Sequence, residues 1–106
     1  MTANELRIGN LILDEDSNIM YRVDLNFFHD LVSGGFLMAD LIPIPLTKEW
    51  LVKFGFENKT KTFVLNNISI KQQTKGYFFY LSMMIQHVHQ LQNLYFALTG
   101  EELKIN

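Results

Sequence analysis

The chain has 106 residues, of which 48% are hydrophobic and 19% are charged, a balance typical of one globular domain rather than of a disordered segment. A formal net charge of -2 argues against a predominantly basic, polyanion-binding protein, and the absence of cysteine excludes disulfide bonds and thiolate metal sites. Residues 1–7 lack the pattern of a signal peptide and no apolar run is long enough to span a membrane, so we expect a cytoplasmic protein with no membrane partner.

The first 42 residues predict a small curled antiparallel sheet at the N-terminus. Short stretches rich in apolar and β-branched residues are expected to form its strands, at residues 6–13, 19–25, 27–32 and 36–42. Polar turns separate them at residues 14–18 and 33–35, and the latter contains two glycines that supply positive φ angles. An SH3-like half-barrel is one form that such a sheet takes.

A proline-led connection and a short helix are predicted next. Pro43 and Pro45 end the sheet, because proline has no N–H to donate to a strand ladder. Thr47 stands where an N-cap belongs, and Gly55 stands where a helix commonly ends in a left-handed residue. Between them, one face of the helix is apolar and comprises Trp50, Leu51 and Phe54.

A hairpin with a definite register is predicted around residues 66–67, which are both asparagine. Asparagine tolerates the positive φ angles of a type I′ turn, so these residues are expected to form the loop. Leu65 then pairs with Ile68, and Phe63 pairs with Ile70. This register places the apolar side chains of both strands on one face of the sheet.

The remaining residues predict one long strand and a second helix. Residues 77–85 are mostly apolar and are expected to form the third, central strand of a meander. The second helix is expected between His87 and Gly100, with an apolar stripe that comprises Val88, Leu91, Leu94, Tyr95 and Leu98. The predicted fold is a single α+β domain over residues 1–106, with a small β-sheet in residues 1–42, and a helix, a three-stranded antiparallel meander and a C-terminal helix in residues 43–106.

Several segments of the chain carry a resemblance to a known family. They lie at residues 6–10 near the start, at 42–51 and 53–56 in the middle, and at 88–103 near the end. In these segments the chain resembles a family of small uncharacterised proteins of Bacteroides-type bacteria and their phages or mobile elements. The resemblance implies a bacterial or phage origin, and it transfers no activity, cofactor or catalytic residue.

His87 and His89 are the candidates for a metal site, with His29 as a third ligand. On a strand their rings share a face and converge, whereas on a helix the same spacing turns them about 200° apart. The pair stands where a strand passes into a helix, so either geometry is open at this stage. The alternative is that both histidines only help to begin the helix. Because no carboxylate or cysteine stands beside them, no metal site is predicted.

The sequence contains no linear motif of a known catalytic site. It lacks a nucleophile elbow, a glycine-rich phosphate loop and a paired histidine–carboxylate motif. No catalytic residue and no cofactor-binding residue is therefore predicted, although a fold can also assemble such groups from distant segments. A metal-dependent enzyme is the least favoured of three hypotheses.

Lysines and aromatic residues lie together between residues 59 and 80. The lysines that fall near the expected hairpin tips are Lys59, Lys61, Lys71 and Lys75, and aromatic residues follow at 77–80. A sheet with exposed aromatic rings and flanking lysines is one way to bind single-stranded nucleic acid. Lysines at strand ends also prevent edge-to-edge aggregation, and the chain is acidic overall. A nucleic-acid-binding module is therefore the second hypothesis.

Protein–protein binding is the leading hypothesis, because the chain carries more apolar surface than a small domain easily hides. Phe27 and Phe28 are the predicted partner-binding residues, and residues 77–84 add an apolar strand that needs a cover on each face. The helices or a second subunit can supply that cover, so a homodimer is one form of the complex. The expected function is that of an accessory protein of a bacterial or phage-derived element, which binds an unknown protein partner.

Overall fold

The computed structural model describes residues 6–27, 41–73 and 76–105 of the protein. Within this part the chain combines helices with antiparallel sheets, which confirms the α+β class predicted from the sequence. The chain divides into two compact units, Met1–Ile44, here called the N-terminal unit, and Pro45–Asn106, the C-terminal unit. This division lies close to the predicted boundary between residues 42 and 43, and the single domain over residues 1–106 stays a prediction.

The N-terminal unit contains a three-stranded antiparallel sheet with the strand order β2-β1-β3. Its strands are β1 (Leu11–Asp14), β2 (Ile19–Arg22) and β3 (Leu41–Pro43). Asp14 begins the turn between β1 and β2, since its Oδ1 accepts the N–H of Asp16 at 3.0 Å. Buried apolar residues form the core of this unit: Leu6, Ile12, Val23, Phe27 and Leu41.

The first strand of this unit is shorter than the predicted strand at residues 6–13. It begins only at Leu11. Gly9 has a φ of 101°, and the Asn10 side chain accepts the N–H of Arg7 at 2.6 Å, so residues 7–10 form a turn instead. The N–H of Gly9 also donates to the Val23 carbonyl at 2.7 Å, which fixes this turn beside the sheet.

The strand predicted for residues 27–32 is wrong at its start. Residues 25–27 are helical, and Oδ1 of Asp24 accepts the N–H of Phe27 at 2.8 Å, as the side chain of an N-cap does. The capping aspartate outweighs the strand preference of the aromatic residues that follow it. Residues 28–40, which hold the rest of this strand, the turn at 33–35 and most of the predicted strand 36–42, lie outside the described residues.

In its described residues, the C-terminal unit contains two helices and a five-stranded antiparallel sheet whose strand order follows the chain, β4-β5-β6-β7-β8. The strands are β4 (Glu57–Asn58), β5 (Thr62–Leu65), β6 (Ile68–Gln72), β7 (Phe78–Tyr80) and β8 (Met83–Ile85). The helices are α1 (Lys48–Lys53) and α2 (Val88–Thr99). The predicted three-stranded meander is therefore extended at both of its edges.

Helix α1 has the start and the stop that its sequence predicts. The hydroxyl oxygen of Thr47 accepts the N–H of Trp50 at 3.4 Å, which is an N-cap contact. Gly55 has a φ of 92°, and the N–H of Phe56 donates to the Leu51 carbonyl at 3.0 Å, which completes a Schellman stop. Leu51 is fully buried, so the apolar face of α1 lies in the core.

The β5–β6 hairpin has the predicted loop and the predicted register. Asn66 and Asn67 have φ angles of 49° and 68°, and two positive values in succession are the pattern of a type I′ turn. Leu65 pairs with Ile68, as expected. The side-chain nitrogen of Asn66 also donates to the Tyr95 hydroxyl at 2.7 Å, which holds the loop against α2.

The single strand predicted for residues 77–85 is wrong, because a second hairpin forms there. Strands β7 and β8 pair antiparallel with Tyr80 opposite Met83, so residues 81–82 form a two-residue loop. Leu81 has a φ of 55°, at which the chain reverses its direction. Leucine does not favour this conformation, so the turn depends on the sheet around it rather than on local preference.

Candidate functional site

The sheet of the C-terminal unit has two unlike faces. Side chains alternate along a strand and cross-strand partners share a face, so the register assigns each residue to one of them. One face, called the core face below, carries buried residues: Phe63, Ile68, Ile70, Phe78 and Ile85. The other, called the outer face, carries exposed or half-buried residues: Thr62, Val64, Ser69, Lys71, Phe79 and Met84. A ligand of this sheet is expected on the outer face or at an edge.

Leu81, at the tip of the β7–β8 hairpin, exposes 82% of its surface. A positive φ at the first loop residue alone is the pattern of a type II′ turn, whose first position commonly holds glycine. A leucine at this position both strains the backbone and exposes apolar surface. Because such strain is concentrated at binding sites and switch regions, Leu81 is a candidate contact residue.

The strand that follows Leu81 is an edge of the sheet. Strand β8 is last in the strand order, and no strand in the described residues pairs with its outer edge. Directly after β8 the chain is paired, because the N–H of Leu46 donates to the Gln86 carbonyl at 2.9 Å and Pro45 pairs with His87. The open part of this edge is therefore confined to Met83–Ile85. Met83 and Met84 in this strand expose 50% and 43% of their surfaces. Residues 77–86 contain no charged side chain, whereas exposed edge strands are commonly protected by charge, proline or a bulge. This edge therefore has the properties of one that accepts a further strand.

Three of the predicted lysines come together at one end of the sheet. Lys59 and Lys61 lie in the turn between β4 and β5, and Lys71 lies in β6 opposite the first residue of β5. The N–H of Gln72 donates to the Lys61 carbonyl at 2.7 Å, which ties the turn to β6. All three lysines are exposed, and the fourth, Lys75, lies outside the described residues.

An aromatic residue stands beside Lys71 on the outer face. The cross-strand partner of Lys71 in β7 is Phe79, and Phe79 in turn pairs with Met84 in β8. The Cβ atoms of such partners are about 5 Å apart. The flexible Lys71 side chain therefore reaches any ligand that lies on the Phe79 ring.

The two histidines of the C-terminal unit are stacked. The rings of His87 and His89 are 5.8 Å apart between centroids and nearly parallel, at 8°. The separation of about 200° that two helical residues would show does not occur. His87 is the N-cap of α2, and its backbone is extended, with φ -132° and ψ 154°. The in-plane nitrogen lone pairs of parallel rings do not point to one metal position. In the described ranges no three histidine, cysteine, aspartate or glutamate side chains could hold a metal ion, and His29 lies outside them.

The start of α2 explains how the histidines are held. The side-chain oxygen of Gln90 accepts the N–H of Gln86 at 2.8 Å and the N–H of His87 at 3.1 Å. These bonds satisfy backbone amides at the junction between β8 and α2. His89, in the first turn of α2, is buried. This geometry fits the structural alternative stated above, since His87 is the N-cap of α2 and His89 is buried behind it.

Among the cavities lined by described residues, two open on the C-terminal unit. The larger, of about 550 Å³, is lined by Phe54, Leu65, Tyr95, Glu101, Glu102, Leu103 and Lys104. The smaller, of about 360 Å³, is lined by Leu46, Gly76, Tyr77, Phe78, Ile85, Gln86 and His87. In the larger cavity the Tyr95 hydroxyl accepts the bond from Asn66, so this group positions the β5–β6 loop.

Phe27 does not have the exposure that a partner-binding residue needs. It is only 4% exposed and belongs to the core cluster of the N-terminal unit. The Asp24 cap turns the chain into a helix at this point and buries the ring, so the prediction of Phe27 as a surface contact is corrected. Phe28 lies outside the described residues. The candidate contact residue that the sequence did not reveal is Leu81, whose only local signal is the polar Ser82 within an apolar run.

Among the described residues, no helix has both the length and the apolar character that crossing a membrane requires. No protein-family model, no curated protein and no solved structure matches the chain. The function proposed below therefore rests on the surfaces of the C-terminal unit.

Proposed function

We propose that the protein is an accessory protein of a bacterial or phage-derived element that binds a protein partner through its β7–β8 hairpin. The observation that carries this proposal is Leu81, a leucine with a φ of 55° and 82% of its surface exposed. Neither local preference nor burial accounts for a leucine in this conformation. The strands on either side impose the positive φ, and a partner that covers Leu81 accounts for the exposed leucine at this position.

Strand addition is the binding mode that the hairpin supports. An extended segment of the partner lies along the open edge of β8 and pairs with its backbone groups. Leu81, Met83 and Met84 supply the apolar contacts next to that edge, and methionine adapts its shape to varied partner side chains. The partner segment is therefore expected to be extended, apolar at alternate positions and free of charge at its centre.

Affinity capture from nuclease-treated bacterial extract tests this proposal. The variant Leu81→Gly removes the exposed side chain and relieves the positive φ, so it is expected to fold and to lose the partner. Leu25→Ala is the matched control, because Leu25 is also an exposed leucine, at 74%, in the N-terminal unit. A partner retained by the wild type and by Leu25→Ala but lost by Leu81→Gly supports the proposal. Equal retention by all three proteins contradicts it.

Strand addition at the β8 edge can also join two copies of the protein. If the partner segment is the β8 edge of a second copy, sedimentation of the purified wild type gives a dimer and Leu81→Gly gives a monomer. A monomeric wild type assigns the edge to another protein. Met84→Lys, which places a charge on the edge strand, is expected to disrupt either complex.

A further inference from the structure

The charges of the chain are divided unequally between its two units. The N-terminal unit holds seven acidic and two basic residues, a formal charge of -5, and the C-terminal unit holds four acidic and seven basic residues, a formal charge of +3. The overall charge of -2 results from these two opposed values. An acidic chain therefore contains a basic unit, and the overall charge is no argument against a polyanion ligand there.

Three of the seven basic residues of the C-terminal unit lie together beside the outer face. Lys59 and Lys61 lie in the β4–β5 turn, and Lys71 lies on the outer face at the same end of the sheet. The glutamate of β4, Glu57, pairs with Val64, one residue further from the turn than the pair Asn58–Phe63. Because its partner Val64 is on the outer face, Glu57 shares that face and offsets part of the lysine charge. Three lysines against this one glutamate leave this end of the sheet with a net positive charge.

The outer face also offers a row of side chains that suits a nucleobase. Thr62, Lys71, Phe79 and Met84 are successive cross-strand partners on β5, β6, β7 and β8. Phe79 is half-buried, so its ring is held by its neighbours and still reaches the surface. A base stacks on such a ring, and Lys71 at its side reaches the adjacent phosphate.

We infer that the outer face of the C-terminal sheet binds single-stranded nucleic acid, with Phe79 as the stacking residue and Lys59, Lys61 and Lys71 as phosphate contacts. A single strand fits better than a duplex, because stacking on Phe79 requires an unpaired base. Recognition by stacking and charge predicts little sequence preference. The lysines and Phe79 lie apart from Leu81, since β7 runs from the lysine end of the sheet towards Leu81 at the other end, and Met84 is the residue that adjoins both surfaces.

Fluorescence anisotropy with labelled oligonucleotides tests the inference on the full chain. The probes are oligo-dT and oligo-U of about 15 nucleotides, which matches the length that one sheet platform covers, and a DNA duplex of equal length. The wild type is expected to bind both single strands more tightly than the duplex. With three phosphate contacts, the logarithm of the binding constant is expected to fall against the logarithm of salt concentration with a slope of about -2.

Matched charge variants distinguish binding at this surface from a general effect of the protein's charge. Lys61→Gln with Lys71→Gln is expected to weaken binding about tenfold at low salt. Lys48→Gln with Lys104→Gln removes the same charge from residues outside the sheet and is expected to change binding less than about twofold. Equal losses in the two double variants overturn the inference, and so does a wild type that binds the duplex as tightly as the single strands.

A further variant tests the stacking of a base on Phe79. Phe79→Leu keeps an apolar side chain in the half-buried position but removes the stacking surface, and it is expected to weaken binding about fivefold. Unchanged affinity in a folded Phe79→Leu protein overturns the role of the ring, and if this variant does not fold, the lysine pair still decides the inference. Leu81→Gly is expected to bind oligonucleotides like the wild type, so the nucleic-acid inference and the proposed protein contact can fail separately.

Discussion

Two hairpin loops of the C-terminal sheet, at residues 66–67 and 81–82, have the same length but different origins. Residues 66–67 are asparagines with φ angles of 49° and 68°, a conformation that asparagine accepts readily. In the other loop Leu81 has a φ of 55°, a conformation that costs leucine free energy. The first loop follows from its own residues, whereas the second is imposed by the strands that it joins. Only the second exposes a large apolar side chain, and we connect that exposure with binding.

The largest expected effect comes from the core that both hairpins share. Phe63 in the first hairpin and Phe78 in the second are buried, and their rings meet edge to face at 6.1 Å between centroids. Phe63→Ala is expected to lower the free energy of unfolding by about 3–5 kcal/mol. Urea denaturation followed by the fluorescence of Trp50, the single tryptophan, measures this loss. A loss below about 1 kcal/mol would mean that the two hairpins do not depend on a common core.

The next effect tests whether asparagine determines the first loop. Asn67→Val places a β-branched residue at a φ of 68° and is expected to cost about 1–2 kcal/mol, because the branched side chain is strained there. Asn67→Gly is the control and is expected to stay close to the wild type in the same denaturation measurement. If both variants unfold like the wild type, the loop does not depend on its asparagines.

A smaller effect is expected from the bond that links the first loop to helix α2. Tyr95→Phe removes the hydroxyl that accepts the hydrogen bond from Asn66 at 2.7 Å, and we expect a loss of about 1 kcal/mol in the free energy of unfolding. Hydrogen exchange of the amides in the loop should accelerate with it. Unchanged exchange would show that the loop needs no support from α2.

The smallest effect has the opposite sign and concerns the second loop. Leu81→Gly relieves the strain of a positive φ but adds the flexibility of glycine, and the balance is expected to stabilise the fold by about 0.5 kcal/mol. Thermal unfolding of the variant beside the wild type measures the difference. A clear destabilisation would show that the Leu81 side chain contributes to the fold of the chain itself.

The parts of the fold that sequence predicts are those that local residues determine. Thr47 and Gly55 delimit α1, and residues 66–67 set the register of the first hairpin, because capping and turn preferences act within a few residues. The hairpin at Leu81 was not predictable, since a continuous apolar run is the pattern of one strand. The turn within it is imposed by the pairing of the strands in the sheet. The burial of Phe27 likewise depends on the N-terminal core that surrounds it.

The candidate site was also predictable only in the parts that local sequence determines. The lysines near the hairpin tips were recognisable in the sequence, and strand pairing brings Lys59, Lys61 and Lys71 to one end of the sheet. The pairing of Lys71 with Phe79 was not, because it depends on the register between β6 and β7. The acidic total conceals the basic character of the C-terminal unit, which emerges only when the charges of the two units are counted separately.

Hydrogen exchange of β8 with and without the captured protein partner tests the central claim most directly. If the partner adds a strand at this edge, the amide of Met84, which faces away from β7, becomes protected on binding, while those of β4 at the opposite edge keep their exchange rates. Protection that appears elsewhere and leaves β8 unchanged would contradict the assignment of the β7–β8 hairpin as the binding surface.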